Sequence, residues 1–259
     1  MALKIYQVDA FTNELFKGNP AAVCPLNEWL DDKTMQNIAA ENNLSETAFF
    51  VKEDKHYKIR WFTPTVEIPL CGHATLASAF IIFNFLDKNL KKINFNSKSG
   101  ILSVSRTENL ITLNFPYLIV KKVDTPKEII DSVKIEPTEV FFNKSYLALY
   151  KDENTIRNIK PDFALLKEIH THGLIVTAPG DNVDFVSRFF VPDAGINEDP
   201  VTGYAHTILT PFWAKKLGKT KLHAKQLSKR GGELFLEDMG KRVNISGQAK
   251  LYMIGEIFI

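Results

Sequence analysis

The sequence predicts an α+β protein of two pseudo-symmetric domains, each a curled, barrel-like sheet around one central helix. Residues 60–80 and 188–212 share a pattern: both place Arg-x-Phe-x-Pro before a Gly-x-Ala turn, with three extra residues in the second copy. Each turn opens a helix of small and apolar residues, and strand-like segments precede and follow that helix. A helix that is apolar on all faces needs a cover on every side, which a curled sheet supplies.

A nearly constant offset in residue number relates the two halves. At an offset of 128, Arg60 falls on Arg188 and Pro64 falls on Pro192. After the three-residue insertion the offset becomes 131, which places the residues Ser-Lys-Ser-Gly at 97–100 on Ser-Lys-Arg-Gly at 228–231. A repeat of about 130 residues has the size of a domain rather than of a solenoid unit. The sequence therefore predicts an internal duplication.

The boundary between the copies is expected near residues 117–127. Pro116, Pro126 and a pair of lysines interrupt the pattern there. This predicts an N-terminal half at residues 1–117 and a C-terminal half at residues 118–259, with the active site in the cleft between them.

Apolar and alternating segments predict the elements of the first half in order. The predicted strands are residues 4–9, 21–24, 48–51, 57–62, 93–95, 101–106 and 110–115. Asp31 or Asp32 can cap a helix whose apolar stripe includes Met35 and Ile38. The charged residues 52–55 lie between two strands, as in a hairpin turn. Residues 72–86 predict the central helix, buried on all sides.

The second half repeats this order. Apolar spacing predicts a helix over residues 162–170, and the predicted strands are residues 174–178, 183–190, 233–237 and 242–246. A Pro-Gly-Asp-Asn turn separates the first two of these strands. The second central helix is expected to begin at Gly203.

Composition excludes several classes of function. The 259 residues are 45% hydrophobic, and no apolar run approaches the roughly 18 residues of a membrane-spanning helix. Lys and Arg total 32 against 30 Asp and Glu, and they are scattered, so neither nucleic acid nor a membrane is predicted as a partner. The chain starts on an alternating strand without the features of a signal peptide, which predicts a soluble, cytoplasmic protein.

The cysteines and histidines show no metal-binding spacing. Cys24 and Cys71 could form one disulfide, but two free thiols are predicted for a reducing cytosol. The six histidines include no His-Glu-x-x-His, and no Cys-x-x-Cys occurs. The sequence therefore predicts no metal site.

Gly72 and Gly203 are predicted to start the two central helices. A helix start presents unpaired backbone N–H groups and the positive end of the helix dipole, which together hold carboxylates. Each glycine alone has a simpler interpretation, a tight turn that only glycine can make. Their matched places in the duplication favour an anion site with two sides.

Three side chains near these turns can move or orient a proton. His73 lies in the first turn of its helix, where the dipole disfavours a charged ring, so we expect it to act neutral, either in catalysis or as a capping residue. Asp199 precedes Pro200 and is either a substrate-binding or a turn-capping carboxylate. Glu46 precedes an apolar strand and is either a general acid and base or a solvated loop residue.

Cys71 precedes Gly72 at a helix N-terminus, where thiols tend toward the thiolate. The corresponding residues 199–202 of the second turn contain no Cys, which excludes a symmetric racemase with two thiols. Cys71 is then either a base with a different partner or a remnant of a two-thiol arrangement, and we favour the remnant. Cys24 is predicted to be a small buried hydrophobe.

Several motifs follow one another along nearly the whole chain. They are Asp9-Ala10-Phe11, Gly18-Asn19-Pro20-Ala21-Ala22-Val23, Ser45-Glu46-Thr47-Ala48-Phe49, Arg60-Trp61-Phe62-Thr63-Pro64, Cys71-Gly72-His73-Ala74-Thr75 and Glu198-Asp199-Pro200-Val201-Thr202-Gly203 with Ala205-His206. Together they resemble the phenazine-biosynthesis PhzF-like isomerase family. The resemblance implies a diaminopimelate-epimerase-like fold, a homodimer, and proton transfer on a small molecule without a cofactor.

The resemblance also implies roles for individual residues. Glu46 would move a proton between carbons, and His73 and Asp199 would bind the substrate or help to protonate it. The implied substrate-binding residues are Ser45, Gly72, Thr202, Gly203 and Tyr204.

Tyr204 departs from the family pattern, which commonly has Ser at this place. A bulky phenol would narrow the pocket or displace an anionic group, so the substrate is predicted only as a small metabolite that bears a carboxylate. Two alternatives stay open: an amino-acid epimerase or racemase that uses Cys71, and a catalytically silent homologue that binds a metabolite.

Overall fold

The computed structural model describes residues 2–259, which form two compact units. The first unit runs to Phe115 and also includes the segment Asn244–Ile259. The second unit is Pro116–Val243. The C-terminal half predicted from the sequence, residues 118–259, includes residues 244–259. They pack with the first unit because the last strand of the chain pairs with the first strand along nearly its whole length.

Strands are the main element of the chain. They are β1 Ala2–Ala10, β2 Asn19–Leu26, β3 Glu46–Glu53, β4 His56–Phe62, β5 Glu67–Ile68, β6 Lys92–Ser97, β7 Gly100–Thr107, β8 Leu110–Pro116, β9 Lys121–Val123, β10 Glu139–Phe142, β11 Tyr146–Leu149, β12 Leu174–Pro179, β13 Phe185–Val191, β14 Ile196–Glu198, β15 Lys221–Gln226, β16 Gly232–Asp238, β17 Arg242–Gly247 and β18 Ala249–Phe258. The helices are α1 Asp32–Asn42, α2 Gly72–Ile81, α3 Lys127–Val133, α4 Glu153–Asn158, α5 Phe163–Lys167 and α6 Gly203–Leu217. None of the described helices is long and apolar enough to cross a lipid bilayer.

The first unit is a mixed sheet that curls around α2. β1 pairs antiparallel with β18 and β2, β2 runs parallel to β3, and β3 and β4 form the expected hairpin. β4 pairs in parallel with β6, and α2 lies in the connection between them. β6 then pairs antiparallel with β7, and β7 with β8. α2 contacts β1, β2, β3 and β18, and Leu76, Ala77 and Ala79 on it are fully buried. The chain continues from α2 into a π-helical turn, Ile82–Leu86.

The second unit repeats the connections of the first. β11 runs parallel to β12, β12 pairs antiparallel with β13, and β13 runs parallel to β15 across α6. The pairs β2–β3, β3–β4 and β4–β6 have the same directions and order. The duplication predicted from the offset is therefore present in the topology.

A matched ion pair locates the three-residue insertion. Arg60 binds both carboxylate oxygens of Glu67 at 2.8 Å, and Arg188 binds both oxygens of Glu198 at 2.7 and 2.9 Å. The two arginines differ by 128 in number and the two glutamates by 131. The insertion therefore lies between β13 and β14, where the 3-10 turn Pro192–Ala194 leads to Gly195 at φ 86°.

Pro211 interrupts the hydrogen bonds of α6 without ending the helix. Because proline has no N–H, the carbonyl of Thr207 is left without its usual partner in the helix. The backbone N–H of Leu118 donates to this carbonyl at 3.0 Å. This hydrogen bond attaches the first residues of the second unit to α6.

The structure differs from the sequence-based elements in the first part of the second unit. The predicted helix at residues 162–170 is the shorter α5, because Asp162 caps it through the N–H groups of Ala164 and Leu165 and it ends at Lys167. α3, α4 and the strands β9–β11 were not predicted, since none of them exceeds seven residues.

Candidate active site

Glu46 and His73 form a buried pair in the first unit. Glu46 is the first residue of β3 and His73 the second residue of α2. Glu46 Oε2 lies 3.0 Å from His73 Nε2, and the side chains are 15% and 6% exposed. The two atoms are in contact but are not aligned for a hydrogen bond, and each lacks another hydrogen-bond partner among the described residues. The structure therefore brings together two of the three predicted catalytic residues.

Local backbone geometry places Glu46 at this point. α1 ends on Asn43 in the left-handed conformation, with its N–H bonded to the carbonyl of Ala39. This cap turns the chain through the half-buried Ser45 into β3. Asn42 holds the start of the strand through its side-chain amide, which donates to Thr47 Oγ1 at 3.1 Å.

Asn19 and Cys71 contact the other ring nitrogen of His73. Asn19 Nδ2 lies 3.2 Å from His73 Nδ1, and Cys71 Sγ lies 3.6 Å from the same atom. Gly18 has φ 64°, and a Cβ there would meet the carbonyl oxygen of Ala10 at 2.2 Å. Only glycine fits this close turn, which leads directly to Asn19 at the start of β2.

The charge of Glu46 sets the protonation of its neighbours. Burial opposes a charged ring, but the charge and hydrogen bonding of Cys71 and Glu46 raise the pKa of His73 well above its ordinary value. Cys71 contributes its charge only as a thiolate. Burial, with Glu46 as a second cause, raises the pKa of the Cys71 thiol, so the thiol stays protonated at neutral pH. The expectation that His73 acts neutral considered the helix dipole and not these neighbours, and it stays a prediction.

The N-terminus of α2 lies next to this pair. Cys71 is the N-cap residue in an extended conformation, and no described side chain caps this end. The N–H groups of Gly72 and His73, which have no partner within the helix, are thus not taken by a capping side chain. The arrangement offers an anion-binding end beside a carboxylate and an imidazole that can exchange a proton.

In the second unit, Gln226 organises the turn before α6. The Thr202 N–H donates to Gln226 Oε1 at 3.0 Å, and Gln226 Nε2 donates to the Asp199 carbonyl at 2.8 Å. Thr202 Oγ1 donates to the Asp199 carboxylate. Asp199 and Thr202 are therefore tied to one fully buried glutamine ahead of Gly203.

Tyr204 is held by side chains of the second unit. Its hydroxyl lies 3.2 Å from Oγ of the fully buried Ser145, and its ring meets the His172 ring edge to face at 4.6 Å. Burial raises the pKa of Tyr204, so the phenol is neutral at physiological pH. At an offset of 131, Tyr204 occupies the place that His73 has in the first unit.

Each unit therefore gathers the predicted residues at the start of its central helix. Ser45, Glu46, Gly72 and His73 lie in the first unit, and Asp199, Thr202, Gly203 and Tyr204 in the second. Asn19, Gln226, Ser145 and His172 were not singled out from the sequence. The sequence repeat could have pointed to Gln226. At the offset of 131 it corresponds to the buried Phe95, so a polar residue takes a core position of the repeat.

The chain resembles known proteins over its full length. The family model described as phenazine biosynthesis-like protein matches residues 8–255. An uncharacterized isomerase of Pseudomonas aeruginosa is 49% identical over 259 residues, which cover all of both chains. The crystal structure of a phenazine biosynthesis protein of the PhzF family from Enterococcus faecalis has a TM-score of 0.98 at 48% identity, again with both chains covered in full.

A more distant likeness concerns the fold alone. A hydroxyproline epimerase from Agrobacterium vitis is 9% identical and has a TM-score of 0.64, with 99% of this chain and 92% of that chain covered. Together with the PhzF-family structure, it confirms the predicted α+β, diaminopimelate-epimerase-like fold class.

Proposed function

The chain belongs to the phenazine biosynthesis-like protein family, and from that premise we propose that it is an isomerase that moves a proton on a small carboxylate-bearing metabolite without a cofactor. In this proposal Glu46 is the general acid and base. It removes a proton from one carbon of the substrate and returns a proton to another.

The contact between Glu46 and His73 is the observation that supports the proposal most strongly. A carboxylate and an imidazole 3.0 Å apart, both largely buried, place two groups that can accept or give a proton at the same point. In this proposal His73 accepts the proton from protonated Glu46 and so restores its ionised form. Asn19 and the start of α2 fix the ring, so the pair is positioned before a substrate arrives.

The start of α2 supports a carboxylate substrate. Its free N–H groups and positive dipole end would bind the carboxylate beside Glu46. Binding there also offsets the negative charge that develops on the substrate when its proton leaves. Asp199, Thr202, Gly203 and Tyr204 are proposed as further substrate-binding residues, and Tyr204 as the residue that limits substrate size.

The structure offers less support for a racemase that uses Cys71. Its thiol is 5% exposed, and its raised pKa leaves little thiolate at neutral pH. A thiol in this state is a poor base for a carbon acid. Glu46 remains the proposed base.

Substitution of Glu46→Gln tests the proposal. A panel of small carboxylates is incubated with the protein in D₂O, and deuterium incorporation into each is followed by NMR. Glu46→Gln should lower the rate of incorporation by about 10²–10⁴-fold, the range of a general acid or base, while ligand binding measured by calorimetry persists.

Glu53→Gln is the matched control, because Glu53 ends the same strand but is exposed and pairs only with Lys58 at 2.9 Å. Its rate should equal that of the unchanged protein. Full turnover by Glu46→Gln would exclude Glu46 as the base. Tight carboxylate binding with no incorporation in the unchanged protein would instead indicate a silent, metabolite-binding homologue.

A further inference from the structure

Three potential metal ligands meet in the first unit, although the sequence contains no recognised metal-binding spacing. One ligand atom from each of Glu46, Cys71 and His73 lies within 4.8 Å of the other two. Cys71 and His73 are 5% exposed. The set combines a thiol, an imidazole and a carboxylate, the three ligand types that Zn²⁺ accepts.

Two of the atoms are buried and unsatisfied. Glu46 Oε2 and His73 Nε2 face each other at 3.0 Å, yet neither has a hydrogen-bond partner among the residues that the structure describes. Buried polar atoms without partners carry a free-energy cost, which a bound ligand can remove. A cation between them would satisfy both atoms at once.

We propose that Glu46, Cys71 and His73 bind one Zn²⁺ ion, and that the bound ion inhibits proton transfer at this site. The inhibition rests on the proposed function, because the ion would occupy the lone pairs of Glu46 and His73 that the reaction needs. Binding itself does not depend on that function.

The geometry is close to what zinc requires. Tetrahedral zinc with bonds of roughly 2.0–2.3 Å separates its ligand atoms by roughly 3.3–3.6 Å. The distance from Glu46 Oε2 to His73 Nε2 is slightly shorter, at 3.0 Å, and Cys71 Sγ lies 3.6 Å from Nδ1, the other nitrogen of the His73 ring. To bind an ion held by Glu46 Oε2 and His73 Nε2, the Cys71 thiol must move from Nδ1 toward Nε2. Three protein ligands leave a fourth position for water or a carboxylate, as in zinc sites that are open to a ligand.

Charge balance favours a soft divalent ion. Glu46 and the Cys71 thiolate together carry two negative charges, which Zn²⁺ neutralises inside a buried site. The positive end of the α2 dipole opposes the cation but stabilises a thiolate at the N-cap. Mg²⁺ and Ca²⁺ prefer oxygen ligands and should not compete, because only one of the three ligands is a carboxylate.

Cobalt titration tests binding without reference to catalysis. Co²⁺ absorbs strongly in the near ultraviolet only when a thiolate binds it, so the full chain should show this band and saturate at one equivalent. Zn²⁺ should displace Co²⁺, with a dissociation constant of roughly 1 µM or below by calorimetry. Cys71→Ser should abolish the band and weaken Zn²⁺ binding by at least about 100-fold. Glu46→Gln should keep the band with weaker binding.

Cys24→Ala is the matched control, because Cys24 is the other cysteine and lies outside the cluster. It should leave the band and the affinity unchanged. Absence of a thiolate band in the unchanged protein, or equal Zn²⁺ affinity in Cys71→Ser, would overturn the zinc site. Circular dichroism of each variant separates loss of a ligand from loss of folding.

Deuterium incorporation separates this inference from the proposed function. One equivalent of Zn²⁺ should stop incorporation, and a chelator should restore it. Incorporation that continues with the site occupied would overturn the inhibition. A saturable thiolate band in a protein that exchanges no substrate hydrogen would leave the zinc site standing and contradict the isomerase mechanism.

Discussion

The two cysteine thiols lie in surroundings that favour the protonated form. Burial raises the pKa of Cys24 to about 12, and burial together with Glu46 raises the pKa of Cys71. The thiolate is the reactive species, and its fraction falls tenfold for each unit by which the pKa exceeds the pH. Both residues should therefore be unreactive in the folded protein.

Alkylation measures this directly. At neutral pH, iodoacetamide should label Cys24 and Cys71 at least about 100-fold more slowly in the folded protein than in the unfolded chain, as followed by mass spectrometry of the peptides. The unfolded chain serves as the internal control for both sites. Rapid labelling of Cys71 in the folded protein would favour the epimerase that uses this thiol.

His206 should make the second unit sensitive to acid. Its side chain is fully buried, its Nδ1 donates to the Thr202 carbonyl at 2.8 Å, and burial lowers its pKa to about 4. Below about pH 6.5 the unfolded chain binds a proton that the folded chain does not bind until about pH 4. The contribution of His206 to stability is thus complete above pH 6.5 and is lost as the pH falls.

The expected loss in the free energy of unfolding is about 2 kcal/mol between about pH 7.5 and about pH 5. Urea unfolding at both pH values measures it. His206→Gln should reduce this pH dependence, whereas His56→Gln should leave it unchanged, because His56 is exposed. Equal pH dependence in the unchanged protein and in His206→Gln would exclude His206 as the cause of the lost stability.

At the scale of elements, α2 should be sensitive to truncation of its side chains. Leu76 is fully buried between the helix and the curled sheet, whereas Leu86 at the end of the following π-helical turn is 47% exposed. Leu76→Ala should lower the free energy of unfolding by about 2–5 kcal/mol through lost burial and a cavity. Leu86→Ala should cost less than about 1 kcal/mol, and urea unfolding compares the two.

A similar small cost for both substitutions would mean that α2 is not enclosed by the sheet.

The central helices were predictable because each has a strong local signal. α2 and α6 begin at glycines that the offset matches, and α2 has no polar side for solvent. The contact between Glu46 and His73 was not predictable, because it depends on how β3 and α2 meet in space. The motifs singled out both residues, but spacing in the sequence cannot show that Cys71 lies beside them.

The short elements from β9 to α4 were not predictable, because they have no strong local signal. Strands and helices of three to seven residues contain too few positions for a periodic pattern to be recognised. Tertiary packing rather than local pattern fixes them: Ile129, Val140 and Ile156, one from each of three such elements, belong to a single buried cluster.

At the scale of the whole molecule, the second unit is an insertion in the chain of the first. Residues 116–243 should therefore fold alone, with dispersed amide resonances in NMR and cooperative unfolding in urea. Residues 1–115 should fold only when residues 244–259 are joined to them, because β1 otherwise lacks its partner β18.

The boundaries read from the sequence provide the comparison. Independent folding of both 1–117 and 118–259 would support those boundaries and contradict the assignment of β18 to the first unit.

The late position of β18 has a consequence for synthesis. A ribosome releases residues 116–243 before it releases the strand that pairs with β1 and contacts α2, so the second unit can fold during translation while the first waits. The sheet that positions Glu46 and His73 is complete only after β18 has left the ribosome. A chain that stops before β18 therefore carries these two residues without the complete sheet around them.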